Sequence, residues 1–320
     1  MTDTVSVDLG GTWLRIRSGE RTERLPSPSV LRQPSATPDQ LLRELIETLD
    51  RYLPPGAAVN MACGAALDEQ KGVAHGSGPL WGGTPAGEIP LLRLLESHRP
   101  DVRWTLVNDV TAGLASFARG FTRPTDRRIA YLTISSGIAL RIADAREGVI
   151  PVDALGLQGE VGHLRAVTSG PDTVRQLPCA CGGIGHVAAI SSGSALAAVA
   201  SALELPYDRD SFGPALESGA PGASLLLSVV VEPIAELVRT MIALDPRLDR
   251  IGIGGGLAEG LSEMYERELC SQLASVRSYA DTSLTPERIR KTIYLCRPHD
   301  IDTLSGADDI AAGRLRVSKL

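Results

Sequence analysis

Asp8 lies near the end of the apolar run Val5-Ser6-Val7-Asp8-Leu9 and is followed at once by Gly10-Gly11-Thr12. A strand ending in a Gly-Gly-Thr turn offers bare backbone N–H groups, and glycine lets a phosphate approach them closely. A carboxylate beside that turn suits a hydrated Mg2+, which takes oxygen ligands and keeps several of its waters. The same text would serve a β-hairpin whose turn needs only glycine's backbone freedom. A second copy tips the balance. Leu140-Arg141-Ile142 follows Gly137 just as Leu14-Arg15-Ile16 follows Gly11, Tyr131-Leu132-Thr133 matches Val5-Ser6-Val7, and Ser136-Gly137-Ile138 matches Gly10-Gly11-Thr12. An offset of 126 residues in a chain of 320 implies two related halves, each opening with strand, phosphate-sized turn and strand. Ile134 stands where the first copy has Asp8, so metal is expected in one half and phosphate at both turns.

Four further clusters carry polar or backbone chemistry. Asn108-Asp109 ends a strand immediately before a helix, the edge at which open α/β sheets bind ligands, although Asn and Asp also cap helices. Gly159-Glu160-Val161-Gly162-His163 sets a carboxylate and an imidazole three residues apart, able to bracket the hydroxyls of a small polyol. Cys179-Ala180-Cys181-Gly182-Gly183-Ile184-Gly185-His186 holds two thiols too close in sequence for an unstrained disulfide. With His163 and His186 they make a Cys2His2 set suited to tetrahedral zinc, the alternative being two free thiols in a loop. Gly254-Gly255-Gly256 ends a strand and precedes a helix, where bare backbone would let a flat base or ribose lie close; a simple loop would read the same way.

The elements that must carry these groups alternate. Strands are expected over 4–9, 13–17, 58–63, 102–107, 250–253 and 292–296, and a strand pair from about residue 128. Helices are expected from Pro38, where Leu41, Leu42, Leu45, Ile46 and Leu49 share a face, and over 91–97, 110–119, 191–205, 223–244, 262–276 and 307–316. The stretch from Gly64 to Gly87 is too rich in glycine for regular structure and too long for a plain turn. Such alternation predicts an α/β fold with a mixed sheet in each half. The length suits about two domains. A net charge of −6 argues against a nucleic-acid surface, and only Lys71, Lys291 and Lys319 are lysines among 32 basic residues. No apolar run reaches the roughly 18 residues of a membrane span, and no signal segment is recognised at the start. Five cysteines without secretory features speak for thiols or metal, and for the cytoplasm.

In this order the motifs resemble the ROK family of sugar kinases and repressors. The matching text is Asp8-Leu9-Gly10-Gly11-Thr12, Asn108-Asp109, Gly159 to His163, Cys179-Ala180-Cys181-Gly182, Ile253-Gly254-Gly255-Gly256 and Ser305-Gly306-Ala307, the last taken as a turn before the final helix. The resemblance implies a two-lobed actin-like ATPase (ribonuclease H-like) fold that closes on its substrates, and ATP-dependent phosphorylation of a sugar hydroxyl. It divides the chain into a small domain, 1–115 with a C-terminal helix 304–320, and a large domain, 116–303. By the same resemblance Asp109 is the base and Asn108, Glu160 and His163 grip the acceptor. Asp8 places Mg2+, Gly10, Gly11, Thr12, Ser135, Ser136 and Gly137 face the phosphates, and Gly254, Gly255 and Gly256 face the nucleoside. His163, Cys179, Cys181 and His186 hold structural zinc, and a homodimer is implied. Seven residues precede Asp8, too few for a helix-turn-helix, so the kinase branch is expected.

Four departures bear on the acceptor. His186 stands where the family has a third cysteine, and Ala188 where it has a sugar-binding Glu; that loss removes a charge-assisted hydrogen bond of roughly 1.5–3 kcal/mol. The second phosphate turn reads Ser135-Ser136-Gly137, whose hydroxyls can still donate, and Gly76-Ser77-Gly78 occupies the region of a family Asn. Asp8 and Asp109 are kept. An active kinase with an unusual hexose-like acceptor is expected, a C7 cyclitol or an amino sugar of specialised metabolism. The alternatives are an ordinary glucokinase or N-acetylhexosamine kinase, a catalytically silent sugar sensor, and a zinc-stabilised interaction module.

Overall fold

The computed structural model describes residues 3–83 and 87–319. Contacts group them into two compact units, the first of residues 1–120, 147–158 and 302–320, the second of 121–146 and 159–301. Residues 147–158, expected in the second domain, group with the first.

The first unit opens with strands β1 (Thr4–Leu9), β2 (Trp13–Ser18) and β3 (Arg21–Pro26), then helix α1 (Pro38–Tyr52) and strands β4 (Ala58–Cys63), β5 (Ala66–Asp68) and β6 (Val73–Gly76). Helices α2 (Gly78–Trp81) and α3 (Leu91–His98), strand β7 (Arg103–Asn108) and helix α4 (Asp109–Phe121) follow. Among the described residues its sheet runs β3-β2-β1-β4-β7, with β1, β4 and β7 parallel and β2 and β3 antiparallel. The central strands β1 and β4 are buried almost throughout because both faces are covered, with Val5, Val7 and Leu9 alternating with the polar Ser6 and Asp8 in β1, whereas β2 alternates buried and half-exposed residues. Helix α1 begins where a capping box forms between Thr37 and Gln40 and Pro38 pre-sets the first turn, and it buries Leu41, Leu42, Leu45 and Leu49.

The second unit starts with β8 (Arg128–Ile134) and β9 (Ile138–Asp144), after which β10 (Val149–Val152) belongs to the first unit. Helices α5 (Asp172–Arg175), α6 (Val187–Ser191), α7 (Leu196–Ala202), α8 (Arg209–Glu217) and α9 (Ala223–Leu244) lead to strand β11 (Leu248–Gly254), helices α10 (Gly256–Ala274) and α11 (Pro286–Thr292), and strand β12 (Ile293–Leu295). Here β12-β11-β8-β9 repeats the pattern of β7-β4-β1-β2: parallel strands flank the opening strand on one side and its antiparallel hairpin partner on the other. The repeat read from the text is therefore a repeat of topology. Helix α12 (Thr303–Ala311) and strand β13 (Arg316–Lys319), parallel to β10, return the chain to the first unit. No helix among the described residues is long and apolar enough to cross a membrane.

Four expectations are corrected. The helix expected over 191–205 breaks into α6 and α7, because Ser192 Oγ donates to the Ala188 carbonyl (2.7 Å) and the Gly193 N–H donates to Ser135 O (2.7 Å). The C-terminal helix expected over 304–320 runs only from Thr303 to Ala311, ends before Gly313 in the left-handed region, and gives way to β13. Ser305-Gly306-Ala307 lies inside that helix, not ahead of it. The glycine-rich stretch carries β5, β6 and α2, its residues 84–86 lying outside the described residues.

Gly306 brings α12 against α4: a Cβ there would sit 1.9 Å from the Ala112 carbonyl oxygen. Gly306→Ala should destabilise the protein by about 1–3 kcal/mol through overpacking. Gly120→Ala, in α4 with nothing within 4 Å, should instead stabilise it by up to about 1 kcal/mol. Urea denaturation of the two variants checks both the size and the opposite signs.

Candidate active site

In the first unit the site is built by strand register. Leu9 pairs with Cys63 and Cys63 with Asn108, so β1, β4 and β7 end level and Gly10, Gly64 and Asp109 emerge together on their carboxyl edge. A Cβ on Gly64 would lie 3.2 Å from Asp109 Oδ2, so glycine leaves room for that carboxylate. The two residues of the Asn-Asp pair divide the work. Asn108, 2% exposed, is the helix cap: its Oδ1 accepts from the Val110 (2.9 Å) and Thr111 (3.3 Å) N–H groups, and its Nδ2 donates to Ala65 O (2.7 Å). Asp109 is the first residue of α4 and is half-buried, with its carboxylate over Gly64.

Asp8 sits directly across from Arg15 in the β1–β2 hairpin and accepts from Nε (2.9 Å) and Nη2 (2.6 Å); the same Nη2 reaches Thr303 Oγ1 (2.7 Å). The nearby Cys63 thiol is pushed far up by burial first, then by the charges of Asp109 and Asp8, and stays a neutral, unreactive neighbour. The turn between β1 and β2 is tied by its carbonyls. Ser29 Oγ donates to Gly11 O (2.6 Å), and the Ser27 N–H (3.2 Å) and Arg32 Nε (3.1 Å) donate to Thr12 O. Arg24 and Arg32 both stack on Trp13, at 3.9 and 4.5 Å from the ring centroid, which gathers positive charge beside this turn.

In the second unit the matching hairpin closes over Ser135-Ser136-Gly137, with the Ser135 N–H donating to Gly137 O (2.9 Å). Its last pair is Ile134 with Ile138, whereas the first hairpin ends with Leu9 paired to Leu14. The second turn is thus one residue shorter, and the structural counterpart of Asp8 is Thr133, not Ile134. Beside this turn lies a cavity of about 180 Å3 lined by Ser135, Ser136, Gly193, Arg209, Phe212 and Gly256, among others. Gly255, at φ 95°, packs its backbone against Ile134, where a Cβ would lie 2.7 Å from main-chain atoms, and its N–H donates to Glu259 Oε1 (2.7 Å). Gly254 faces Tyr131 and Glu259. Of the three glycines, Gly256 lines the cavity, while Gly254 and Gly255 make the close contact that closes strand onto helix.

Glu160 and His163 are set by two glycines pressed on β9. Gly159, at φ 93°, would place a Cβ 1.9 Å from Leu140 O, and Gly162 one 2.4 Å from Ile138 O. A short 3-10 turn, Val161–His163, then turns both side chains off the strand. Burial raises the Glu160 carboxyl, an effect opposed by Arg141, itself 2% exposed. Residues 164–166 pair with 185–187, and a turn at Gly182 folds the two cysteines back. His163, Cys179, Cys181 and His186 therefore meet, their ligand atoms all within 4.8 Å of one another. Cys179 Sγ is 3.7 Å from His163 Nδ1 and Cys181 Sγ is 3.2 Å from His186 Nδ1. Tetrahedral zinc with bonds of about 2.0–2.3 Å has edges of roughly 3.3–3.8 Å; the two Cys–His distances lie close to that range, and two thiols with two imidazoles are a donor set that zinc takes.

The sequence pattern of the ROK family matches residues 4–291. The chain belongs to the ROK family. It is 39% identical over 325 residues to a 2-epi-5-epi-valiolone 7-kinase of an Actinoplanes species, covering 94% of this chain and 90% of that protein. It is 29% identical over 349 residues to a C(7)-cyclitol 7-kinase of Streptomyces hygroscopicus subsp. jinggangensis, covering 98% and 95%. Among solved structures, a ROK glucokinase from Streptomyces griseus in complex with glucose and AMPPNP superposes with a TM-score of 0.68 at 16% identity, covering 96% of this chain and 98% of that one. The fold is that of the ROK kinases, the actin-like ATPase fold.

Within this ROK chain the structure adds residues that motif reading passed over. Arg15 and Arg141 occupy the same place in the repeated text, and each acts on a site carboxylate, Asp8 or Glu160. The repeat was the signal that could have found them. Arg209 and Phe212 line the cavity from α8, an element with no motif to mark it. Ser77, in the region of the family Asn, spends its hydroxyl on Gly64 O (2.7 Å) and on capping α2.

Gly159→Ala must move either β9 or the turn that carries Glu160. It should cost about 2–4 kcal/mol in stability, as a strained φ and a backbone clash together. Gly19→Ala has a similar positive φ but nothing within 4 Å, and should cost about 1 kcal/mol. Parallel denaturant titrations of the two variants separate clash from strain.

Proposed function

We propose that this ROK protein is an ATP-dependent kinase of a C7 cyclitol, with Asp109 as the base that takes the proton of the attacked hydroxyl. It is a phosphotransferase with an alcohol group as acceptor, as its named relatives are. The observation that carries the base assignment is the split between Asn108, spent on capping α4, and Asp109, whose carboxylate lies over Gly64 at the strand edge. Identity to a 2-epi-5-epi-valiolone 7-kinase supports a cyclitol hydroxyl at the 7-position, and the absence of a carboxylate at Ala188 supports an acceptor other than glucose.

Phosphoryl transfer asks the protein mainly for positioning and for neutralising charge. Asp109 receives the hydroxyl proton as the oxygen attacks the γ-phosphorus, and ADP leaves. Gly10, Gly11 and Thr12 in the first unit, and Ser135, Ser136 and Gly137 in the second, offer backbone and hydroxyl donors to phosphate. The cavity beside Ser135 and Gly256 takes the nucleoside. A magnesium ion held through water by Asp8 would neutralise the phosphates, and Arg15 fixes that carboxylate from the opposite strand. Glu160 and the Nε2 face of His163 hold acceptor hydroxyls, while His163 Nδ1, Cys179, Cys181 and His186 hold a structural zinc.

With ATP, kcat/KM should be highest for 2-epi-5-epi-valiolone or a related C7 cyclitol and at least 100-fold lower for glucose and N-acetylmannosamine, followed as ADP release. Equal, poor turnover of all acceptors defeats the cyclitol reading. Asp109→Asn should lower kcat by about 10²–10⁴-fold with acceptor binding by calorimetry little changed; activity within tenfold of the parent removes Asp109 from the role of base. The purified protein should carry about one zinc per chain by elemental analysis. Cys179→Ser should weaken zinc retention by more than the roughly 10–100-fold that loss of an outer-shell partner costs. A metal-free parent protein of unchanged stability would refute the zinc assignment.

A further inference from the structure

The hairpin β5–β6 falls in the glycine-rich stretch to which no motif assigns a role, and its turn carries Glu69. That carboxylate reaches the start of α4: Oε1 accepts from the Asn108 backbone N–H (2.9 Å) and from Thr111 Oγ1 (2.6 Å). Both donors flank Asp109 in sequence, one on the residue before it and one two residues after. Negative charge at a helix N-terminus is favourable, which suits the carboxylate to this place.

The turn that bears Glu69 is itself held on several sides. Asp68, 1% exposed, is paired with Lys319 Nζ (2.8 Å) and accepts from the Lys71 N–H (3.2 Å). Gly72, at φ 65°, closes the turn with its N–H on Asp68 O (2.8 Å) and lies so near α3 that a Cβ would fall 2.1 Å from Leu92 Cβ. The backbone of Gly156 packs on Leu67 and Asp68, where a Cβ would come within 2.8 Å of Leu67 O. A carboxylate on a turn fixed this firmly transmits position.

We propose that Glu69 is a positioning residue for Asp109: it grips Asn108 and Thr111 on either side of the base and fixes where the first turn of α4 presents it. The proposal rests on the reading of Asp109 as the base. A displacement of about 1 Å at a reacting group costs on the order of 100-fold in rate, so a residue that never touches substrate can still govern turnover.

The test compares Glu69→Ala, Glu69→Gln and Asp109→Asn in the full chain with ATP and the best cyclitol. Glu69→Ala should lower kcat by about 10–100-fold and leave the KM of ATP and of acceptor within twofold. Glu69→Gln keeps a carbonyl oxygen at the same place and should restore kcat to within threefold of the parent. Hydrogen exchange by mass spectrometry should show faster exchange in Glu69→Ala at peptides spanning 105–112, with the rest of the first unit unchanged. Three results overturn the proposal: Glu69→Ala with kcat within threefold of the parent, Glu69→Gln as impaired as Glu69→Ala, or a loss of protection spread over the whole first unit. Full activity of Asp109→Asn would refute the base assignment instead, whatever the Glu69 variants do.

Discussion

Three parallel strands that end level are the constraint on which the first unit's site depends. Because β1, β4 and β7 finish together at Leu9, Cys63 and Asn108, the chain leaves all three at one edge and must turn there. A slip of one residue in any strand would turn its side chains to the opposite face and put Asp8 or Asp109 elsewhere. The register is held by burial: in β1 Val5, Val7 and Leu9 face the apolar core while Ser6 and Asp8 lie on the other face, Ser6 donating to Asp308, so a displaced strand would bury the wrong groups. Glycine at 10 and 64 then keeps the edge open, and the carboxylate of Asp109 occupies the room left by Gly64.

Within each unit, charge is organised by pairing before any ligand arrives. Asp8 is clasped by Arg15, and Glu160 lies in the field of buried Arg141. The two arginines come from the same place in the repeated text, yet the hairpins that carry them close over turns of different length. Counted from the hairpin ends, Arg15 corresponds to Ala139 and Arg141 to Arg17, so the two carboxylates are met by arginines from different rungs of the repeated hairpin. Divergence then gave the first copy an acid at the strand end and the second copy Thr133 and two serines. The Arg15–Asp8 pair also fixes the orientation of that buried carboxylate.

The strands missed in the sequence share one property. Strand β3, Arg21–Pro26, is an exposed edge of mostly polar residues, and β5, β6, β10 and β13 are four residues long or shorter. None has an apolar alternation long enough to announce a strand, because each gains its hydrogen bonds from a neighbour already in place. The false continuity of a helix across Ser191–Leu205 has the opposite cause. Its alanines and leucines are good helix formers, but Ser192 and Gly193 find better partners in the preceding turn and at Ser135.

What the sequence determined by itself was whatever is written locally: the α/β alternation, the doubled turn, the family, and the identity of the acids, histidines and cysteines that cluster. These are legible because glycine, aspartate and cysteine at short fixed spacings have few other uses. What only the tertiary structure decided were the pairings between residues far apart: Glu69 on Asn108 and Thr111, the two cysteines against two histidines, Arg209 and Phe212 on a cavity that opens beside Ser135. It also decided which member of Asn108-Asp109 is the cap. Both residue types can accept from a helix N-terminus, and the choice was made by strand register, which buried Asn108 against Ala65 and left Asp109 over a glycine.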